Sequence, residues 1–202
     1  MREYVALLRG INVGGRNAVP MPALRALFES LGHERVTTYI QSGNVCFTSA
    51  PARVTAGVGG DPPGQGAASG RAGVASPVDL AAEIEGAILQ TFGLGVRLVL
   101  RTRAELAQLA AVNPFLGSEA DRAKIHVVFL AATPTPEGIA KLDPDRFPPD
   151  TFAIVGREIF VHYPNGAGRS RLTLDYFERR LGTHGTARNW NTVNELLARL
   201  DG

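Results

Sequence analysis

The sequence predicts an α+β fold made of two ferredoxin-like (βαββαβ) subdomains, each an antiparallel sheet with helices on one face. Strand and helix patterns follow one another in the order β-α-β-β-α-β between residues 4 and 100, and the same order returns between residues 125 and 188. The two predicted hairpins also share a spacing, in which Tyr39, Gly43 and Phe47 correspond to Phe152, Gly156 and Phe160. We place the subdomains at residues 1–101 and 102–202, the second including a C-terminal helix.

The first repeat is defined by short apolar runs and by clear stop signals. These predict strands at residues 4–8, 36–40, 45–48 and 96–100, and helices at residues 20–31 and 77–92. Gly32 and Gly93 follow the two helices as C-terminal stops, and Ser76 with Asp79 forms a capping-box pattern before the second helix. The turn Ser42-Gly43-Asn44 joins the two hairpin strands.

Residues 50–77 interrupt this repeat with a different composition. Of these 28 residues, 18 are Gly, Ala or Pro, and none is aromatic, Leu or Ile. Such a segment buries too little apolar surface to offset its conformational entropy. The sequence therefore predicts a disordered insertion within the first subdomain.

The second repeat shows the same signals in the same order. They predict strands at residues 125–130, 152–155, 159–162 and 186–188, and helices at residues 136–142, 172–181 and 192–200. An additional helix precedes the repeat, starting at the capping box of Thr102 and Glu105 and ending at Asn113-Pro114. The last helix is expected to start with a capping box at Thr192 and Glu195.

Composition excludes several classes of protein. The formal net charge is +2, which by itself indicates no polyanionic partner. Cys46 is the only cysteine, so an intramolecular disulfide and a zinc site of several thiolates are excluded. No apolar run approaches the length of about 18 residues that spans a bilayer, and the N-terminal apolar run is too short for a signal peptide. We expect a cytoplasmic protein without a membrane partner.

Four polar stretches, three of which contain glycine, lack Asp and Glu: residues 9–17, 41–44, 165–171 and 188–191. They offer guanidinium, amide, hydroxyl and backbone N–H donors, which suit an anionic ligand and suit metal-dependent hydrolysis poorly. The predicted ligand-binding residues are Arg9, Asn12, Gly14, Gly15, Gln41, Ser42, Asn44, Asn165, Gly166, Gly168, Arg169, Ser170, Arg188 and Asn189. The pattern indicates a negatively charged ligand and no metal site. It does not identify a reaction, a cofactor or an oligomeric state.

Topology is expected to bring these stretches together in pairs. In a βαββαβ unit, the loop after the first strand and the turn between the second and third strands leave the same end of the sheet. Residues 9–17 should therefore lie near residues 41–44. In the second unit, the loops after the third and fourth strands share the opposite end, which places residues 165–170 beside 188–191. We expect the donors to line an open pocket, and the sequence leaves open whether both pairs share one cleft.

Each motif also has a simpler interpretation. Gly14 and Gly15 are typical of a tight turn alone. The loop from Gly166 to Ser170 is expected to open a helix whose first N–H groups receive an anion, or Ser170 serves only as a helix N-cap. It is not a Walker A loop, because its spacing differs and no Lys-Ser/Thr pair ends it. The ring of Trp190 is expected to pack on the last helix, whose start the flanking asparagines can cap.

The remaining reactive side chains offer little chemistry. The four histidines form no metal-ligand set, and only His162 is an acid–base candidate, for which a structural role is favoured. Cys46 is expected to be a small core residue. Paired carboxylates are absent from the predicted site, which disfavours glycosidase and two-metal chemistry.

The motif segments together resemble a bacterial family, domain of unknown function 1697. The resemblance is carried by residues 4–15, 39–45, 113–115, 162–170 and 187–193. It implies two ferredoxin-like α+β subdomains, in agreement with the prediction from periodicity, and it implies no catalytic residues. The insertion at residues 50–77 departs from the shorter connection of the family, and Arg171 stands where a Lys is common.

Three functions are compatible with these observations. The first is binding of a small phosphorylated or carboxylated ligand, with or without a transfer reaction, by the Arg, amide and glycine loops. The second is a nucleic-acid-binding module, which rests on fold analogy alone and lacks an aromatic stacking signature on the strands. The third is a structural or interaction protein, in which the same polar loops lock the two subdomains together. Exposure of Arg9, Arg169 and Arg188 distinguishes the first function from the third.

Overall fold

The computed structural model describes residues 1–14, 17–49, 76–119 and 121–201, and within them it contains eight strands and six α-helices. The strands are β1 (Arg2–Leu8), β2 (Glu34–Tyr39), β3 (Asn44–Ser49), β4 (Leu98–Thr102), β5 (Ile125–Leu130), β6 (Thr151–Val155), β7 (Glu158–His162) and β8 (Gly185–Asn189). The helices are α1 (Met21–Ser30), α2 (Pro77–Phe92), α3 (Arg103–Val112), α4 (Pro136–Ile139), α5 (Leu174–Leu181) and α6 (Trp190–Asp201). Residues 50–75 of the predicted insertion lie outside the described residues, and Pro77 begins α2.

The strands form two four-stranded sheets with the same plan. Their orders are β2-β3-β1-β4 and β6-β7-β5-β8, and all neighbouring strands are antiparallel. This is the strand order of a ferredoxin-like unit, so the predicted fold class is confirmed. The division into units at residues 1–101 and 102–202 stays a prediction.

Equivalent hydrogen bonds recur in the two sheets. The N–H of Leu8 donates to the carbonyl of Gly43 at 2.8 Å, and the N–H of Leu130 donates to the carbonyl of Arg157 at 2.9 Å. In each sheet a helical glutamate also accepts the first N–H of the last strand. The pairs are Glu85 with Leu98 at 2.9 Å and Glu178 with Gly185 at 2.8 Å. The two halves therefore repeat one structural plan down to individual bonds.

Helix starts agree with the capping signals in two of four cases. The capping boxes of Ser76 with Asp79 and of Thr102 with Glu105 are both present. The two helices that flank β8 begin elsewhere than expected. Helix α5 begins at Leu174, after Thr173, because Leu172 is a buried loop residue that continues the apolar period without being helical. Helix α6 begins at Trp190, and the cap is Asn189 rather than Thr192.

Apolar side chains on the two faces of each sheet enter different cores. On β1, Tyr4, Ala6 and Leu8 pack under α1 and α2, whereas Val5 and Leu7 face the other way. The second sheet packs its outer face under α5 through residues such as Val128. Each sheet therefore has helices of its own unit on its outer face, as predicted, and a second apolar face directed inward.

The inward faces of both sheets share one central core. This core combines Val5, Leu7, Cys46 and Val99 of the first sheet with Ile125, Val127, Phe129 and Phe160 of the second. Helices α3 and α6 complete it, and Trp190 of α6 is 3% exposed there. Trp190 therefore lies between the halves, in addition to starting the last helix. Because residues from both halves bury one another, the central core joins the sheets into a single packed unit.

Candidate functional site

The first pair of predicted loops meets at the end of β1. Asn12 donates from Nδ2 to the carbonyls of Gln41 at 2.9 Å and Val19 at 3.0 Å, and its Oδ1 accepts the N–H of Val19 at 2.8 Å. Gly43 has φ +75°, and a Cβ there would lie 2.7 Å from Leu8 Cβ. The convergence predicted for residues 9–17 and 41–44 is therefore present. Its amide donors are used to hold the backbone of the loops themselves.

Arg188 extends from β8 into this junction and is sealed there. Its guanidinium donates to Asn44 Oδ1 at 2.6 Å and to the carbonyl of Leu8 at 2.8 Å. The further acceptors are Thr186 Oγ1 at 2.7 Å and the carbonyls of Ala187 at 2.8 Å, Ser42 at 3.0 Å and Gly43 at 3.5 Å. Burial lowers the pKa of Arg188 to about 10. The expectation that Arg188 and Asn44 line an open pocket is wrong, because both are buried and bonded to each other.

Arg101 forms the reciprocal contact from the first sheet. It is the fourth residue of β4, as Arg188 is the fourth residue of β8, and its side chain is 1% exposed. Its donors reach the carbonyl of Leu130 at 2.7 Å and Glu158 Oε1 at 2.7 Å, both in the second half. Burial lowers the pKa of Arg101, and the carboxylate of Glu158 opposes this shift. We call Arg101 and Arg188 the reciprocal arginines.

The sequence prediction missed Arg101, although a signal for it exists. Arg101 and Arg188 occupy the same position in the two repeats, which the shared element order makes visible. Arg101 lies in none of the four acid-free stretches, and the prediction considered only arginines in those stretches.

Arg9 also connects the two halves, but at the surface. Its guanidinium lies 2.7 Å from Glu178 Oε2 and 3.5 Å from Asp175 Oδ1, both on α5. The Arg9 side chain is 37% exposed, so this pair is partly screened by solvent. Two carboxylates already neutralise Arg9, which leaves it poorly suited to an anionic ligand.

Two other residues of the first pair, Ser42 and Gly14, have defined places. Ser42 Oγ accepts a hydrogen bond from Asn44 Nδ2 at 2.9 Å. Gly14 has φ +59° and is exposed, as a tight turn requires, and Gly15 lies outside the described residues. The conformation of Gly14 agrees with its simpler interpretation as a turn residue.

The predicted loop at residues 165–171 forms one wall of an open pocket of about 450 Å³. The opposite wall is the connection between α4 and β6. The lining residues are Arg146, Phe147, Pro148, Pro149, Asp150, Asn165, Gly166, Arg169, Ser170 and Arg171. We call this space the arginine pocket. Four predicted ligand-binding residues, Asn165, Gly166, Arg169 and Ser170, lie in it, and Gly168 lies in the same loop without lining it.

Positive charge dominates the arginine pocket. Arg146, Arg169 and Arg171 are all exposed, and none of them forms an ion pair within residues 1–14, 17–49, 76–119 and 121–201. The guanidinium carbons of Arg146 and Arg171 lie 5.5 Å and 5.7 Å from the ring centroid of Phe147, within cation–π range. Among the residues that the structure describes, Asp150 is the only carboxylate that lines the pocket.

The backbone of the loop supplies fewer donors than predicted. Residues Ala167–Arg169 form a short 3-10 turn, and α5 starts only at Leu174, so the loop does not open a helix. The N–H groups of Gly166, Arg169 and Ser170 are used within the loop. Ser170 is not a helix N-cap: its hydroxyl donates to Asp150 Oδ2 at 2.5 Å and accepts the N–H of Leu172 at 2.8 Å. Donors for a ligand must therefore come mainly from side chains.

Asn189 and its neighbours lie at the same end of the second sheet as the arginine pocket loop. The last residues of β7 and β8, His162 and Asn189, pair with Ile125 and His126 at the start of β5. Asn189 Oδ1 accepts the N–H of Thr192 at 2.8 Å, so it caps α6 as the simpler interpretation allowed. β5 separates the two loops, and Asn189 does not line the pocket.

His162 forms a pair with the carboxylate of Glu119. Its Nε2 lies 3.0 Å from Glu119 Oε2, and its ring stacks on Phe115 with a centroid distance of 5.7 Å. Glu119 accepts the N–H of Asp121, and this bond and the contact with His162 hold the pKa of Glu119 below its usual value. In the parts of the chain that the structure describes, no group of three or more His, Cys, Asp or Glu side chains is placed to hold a metal ion.

The sequence prediction missed one segment of the candidate site, from Arg146 to Asp150. It belongs to a Pro-containing connection between α4 and β6 whose composition marks no ligand site. Its approach to residues 165–171 is a tertiary contact between segments that are distant in sequence. Nothing local to either segment indicates the pairing.

A solved structure is similar to this chain over almost its whole length. The structure is similar to that of conserved bacterial protein SP0830 from Streptococcus pneumoniae, with a TM-score of 0.64, 22% sequence identity and coverage of 98% of both chains. This similarity concerns the fold. Among curated proteins, none is detectably similar to this chain. No helix in the described parts of the chain is long and apolar enough to cross a membrane.

The family model described as "Protein of unknown function (DUF1697)" matches residues 1–58 and 68–160, more than half of the 202 residues. The match includes the first loop pair, the reciprocal Arg101 and one wall of the arginine pocket. The resemblance stated from the motif segments is thereby confirmed. The chain belongs to the DUF1697 family.

Proposed function

We propose that the arginine pocket binds a small anionic ligand carrying a phosphate or carboxylate group. The observation that supports this most strongly is the set of three exposed guanidinium groups, on Arg146, Arg169 and Arg171, without carboxylate partners in the described residues. Guanidinium groups match the geometry of phosphate and carboxylate oxygens. The volume of about 450 Å³ falls within the range of small-molecule sites.

The local charge balance also favours an anion over a cation. Three arginines and one aspartate line the pocket, and Ser170 already donates to that aspartate. An anion would reduce the mutual repulsion of the guanidinium groups, whereas a cation would add to it. Phe147 keeps Arg146 and Arg171 over its ring, which limits the rotamer entropy lost when they bind a ligand.

The first loop pair supports a different role. Arg188 and Asn44 are buried and paired with each other, and Arg9 is neutralised by Glu178, so these residues fit the structural interpretation. We propose that they hold the two sheets together and leave ligand binding to the arginine pocket. A cytoplasmic location stays a prediction.

Calorimetric titration with inorganic phosphate and with pyrophosphate, at constant ionic strength, tests the binding proposal. We expect saturable binding of at least one of them. Arg169→Gln and Arg171→Gln should each weaken it about three- to tenfold, because each removes a charged hydrogen-bond donor at a partly screened site.

Arg25→Gln is the matched control, since Arg25 is an exposed arginine on α1 paired with Glu29. It should leave the affinity unchanged. Absence of binding by the wild-type protein would overturn the proposal. An equal loss of affinity in all three variants would also overturn it, because a diffuse surface attraction would then explain the binding.

A further inference from the structure

Asp150 occupies an unusual position for a carboxylate in a pocket of arginines. The residue is 8% exposed, and its N–H donates to the carbonyl of Phe147 at 2.9 Å, which fixes the backbone at the pocket wall. Its Oδ2 accepts the hydroxyl of Ser170 at 2.5 Å. Its Oδ1 has no hydrogen-bond partner among the described residues. This oxygen is also not completely buried. Asp150 lines the pocket, and Oδ1 is the side-chain oxygen of this residue that is free to accept a further hydrogen bond.

No neighbouring group among the described residues donates a hydrogen bond to Asp150 Oδ1. Tyr163 lies close enough for the charge of Asp150 to raise its pKa, after the larger effect of burial, but its hydroxyl donates to the carbonyl of Leu172 at 3.0 Å. Ser170 has one hydroxyl proton, and Oδ2 accepts it. Neither Arg146, Arg169 nor Arg171 forms an ion pair with Asp150.

A carboxylate in this position discriminates among anions. It repels a bare anion held by the nearby guanidinium groups, which costs binding energy. The same oxygen can accept a hydrogen bond from a ligand that brings an O–H donor, and a hydrogen bond to a charged acceptor is stronger than one to a neutral acceptor. The pocket therefore favours ligands that combine an anionic group with a hydroxyl group.

We propose that the ligand is a phosphorylated polyol or sugar, whose phosphate contacts the arginines while one hydroxyl donates to Asp150 Oδ1. This inference rests on the proposed anion-binding function of the same pocket and adds the class of ligand. Asp150 acts in it as a specificity-determining residue. Its role is to select hydroxylated phosphates over phosphates of similar size that lack a hydroxyl group.

Two probes of similar size test the proposal by calorimetry: sn-glycerol 3-phosphate, which carries two hydroxyl groups, and n-propyl phosphate, which carries none. The wild-type protein should bind glycerol 3-phosphate at least tenfold more tightly. Asp150→Asn and Asp150→Ala should reduce this preference to less than about threefold. Asp150→Asn should bind inorganic phosphate as tightly as the wild type or more tightly, because a repelling charge is removed.

The outcomes separate this inference from the function on which it depends. Equal affinity of the wild type for the two esters overturns the inference and leaves anion binding intact. A preference that persists in both Asp150 variants overturns the role of Asp150. If neither ester binds, and neither inorganic phosphate nor pyrophosphate binds, the proposed function fails and the inference fails with it. Should Asp150→Ala not fold, the ester pair with the wild type and with Asp150→Asn still decides the question.

Discussion

Arginine side chains act in two opposite environments in this protein. Arg188 is buried and donates to amide, hydroxyl and carbonyl oxygens, without an ion pair among the described residues. Arg169 and Arg171 are exposed and have no carboxylate partner there. A buried guanidinium loses its hydration, so its stability depends on filling every donor site. The same side chain type is therefore buried and fully bonded at the junction of the sheets, whereas in the arginine pocket it is exposed and, as we propose, binds a ligand.

Replacing Arg188 should test the architectural role at the level of one residue. Arg188→Met leaves the carbonyls of Leu8 and Ser42 and the side chain of Asn44 without their donor. We expect the free energy of unfolding to fall by about 3 kcal/mol, measured by urea denaturation. Arg9→Met is the control, and its partly exposed ion pair should cost less than about 1 kcal/mol. Equal costs for the two variants would contradict the account.

At the scale of elements, the turn between β2 and β3 is fixed by contact as well as by conformation. Gly43 adopts φ +75° and lies against Leu8 and Ile11, so an added Cβ would meet Leu8 Cβ at 2.7 Å and Ile11 Cδ1 at 2.9 Å. The carbonyl of Gly43 also accepts the N–H of Leu8. The turn is therefore pressed against the end of β1, where Arg188 enters.

Two glycine substitutions separate the cost of the left-handed backbone conformation from the cost of the close contact with β1. Gly10 has φ +67° and nothing within 4 Å of a built Cβ, so Gly10→Ala should cost only the left-handed conformation, about 1 kcal/mol. Gly43→Ala carries that cost and a clash with β1, and we expect about 3 kcal/mol in total. Urea denaturation of both variants provides the comparison. A Gly43→Ala variant as stable as Gly10→Ala would show that the turn relaxes freely.

Local signals predicted the elements well and the buried polar groups poorly. The capping boxes at Ser76 and Thr102 depend on neighbours three residues away, so the sequence contains all that they require. The start of α5 was predicted too early because Leu172 continues the apolar period from a loop. The burial of Arg188 depends on a turn 146 residues earlier. No pattern within β8 contains that information.

In the candidate site, too, the local chemistry could be predicted from the sequence and the long-range contacts could not. The chemistry of the loop at residues 165–171 was visible in the sequence, because arginines and glycines without acids stand together there. The opposite wall was not visible, since Arg146 and Asp150 become part of the pocket only through their tertiary contact with that loop. The sequence therefore identified half of the arginine pocket and assigned the sealed Arg188 to the same role.

At the scale of the whole molecule, the two sheets depend on each other. The central core takes Val5 and Leu7 from the first sheet and Val127 and Phe129 from the second, and α3 and α6 cover its remaining sides. The reciprocal arginines add hydrogen bonds in both directions across the same junction. Neither sheet can leave the other without exposing apolar surface and unpaired polar groups.

This shared core predicts one cooperative unfolding transition. Trp190 is the only tryptophan of the chain and reports on the central core, whereas far-UV circular dichroism reports on all helices and strands. The two signals should give coincident urea denaturation curves. Arg188→Met should move both curves to lower urea together. Two separated transitions would show that the halves fold independently.

The central functional claim is that the arginine pocket, rather than the first loop pair, receives an anion. Titration of the ¹⁵N-labelled protein with inorganic phosphate at constant ionic strength tests it most directly. The account predicts saturable amide shifts concentrated at residues 146–150 and 165–171. Saturable shifts concentrated at residues 9–14 and 41–44, or small shifts spread evenly over the surface, would contradict it.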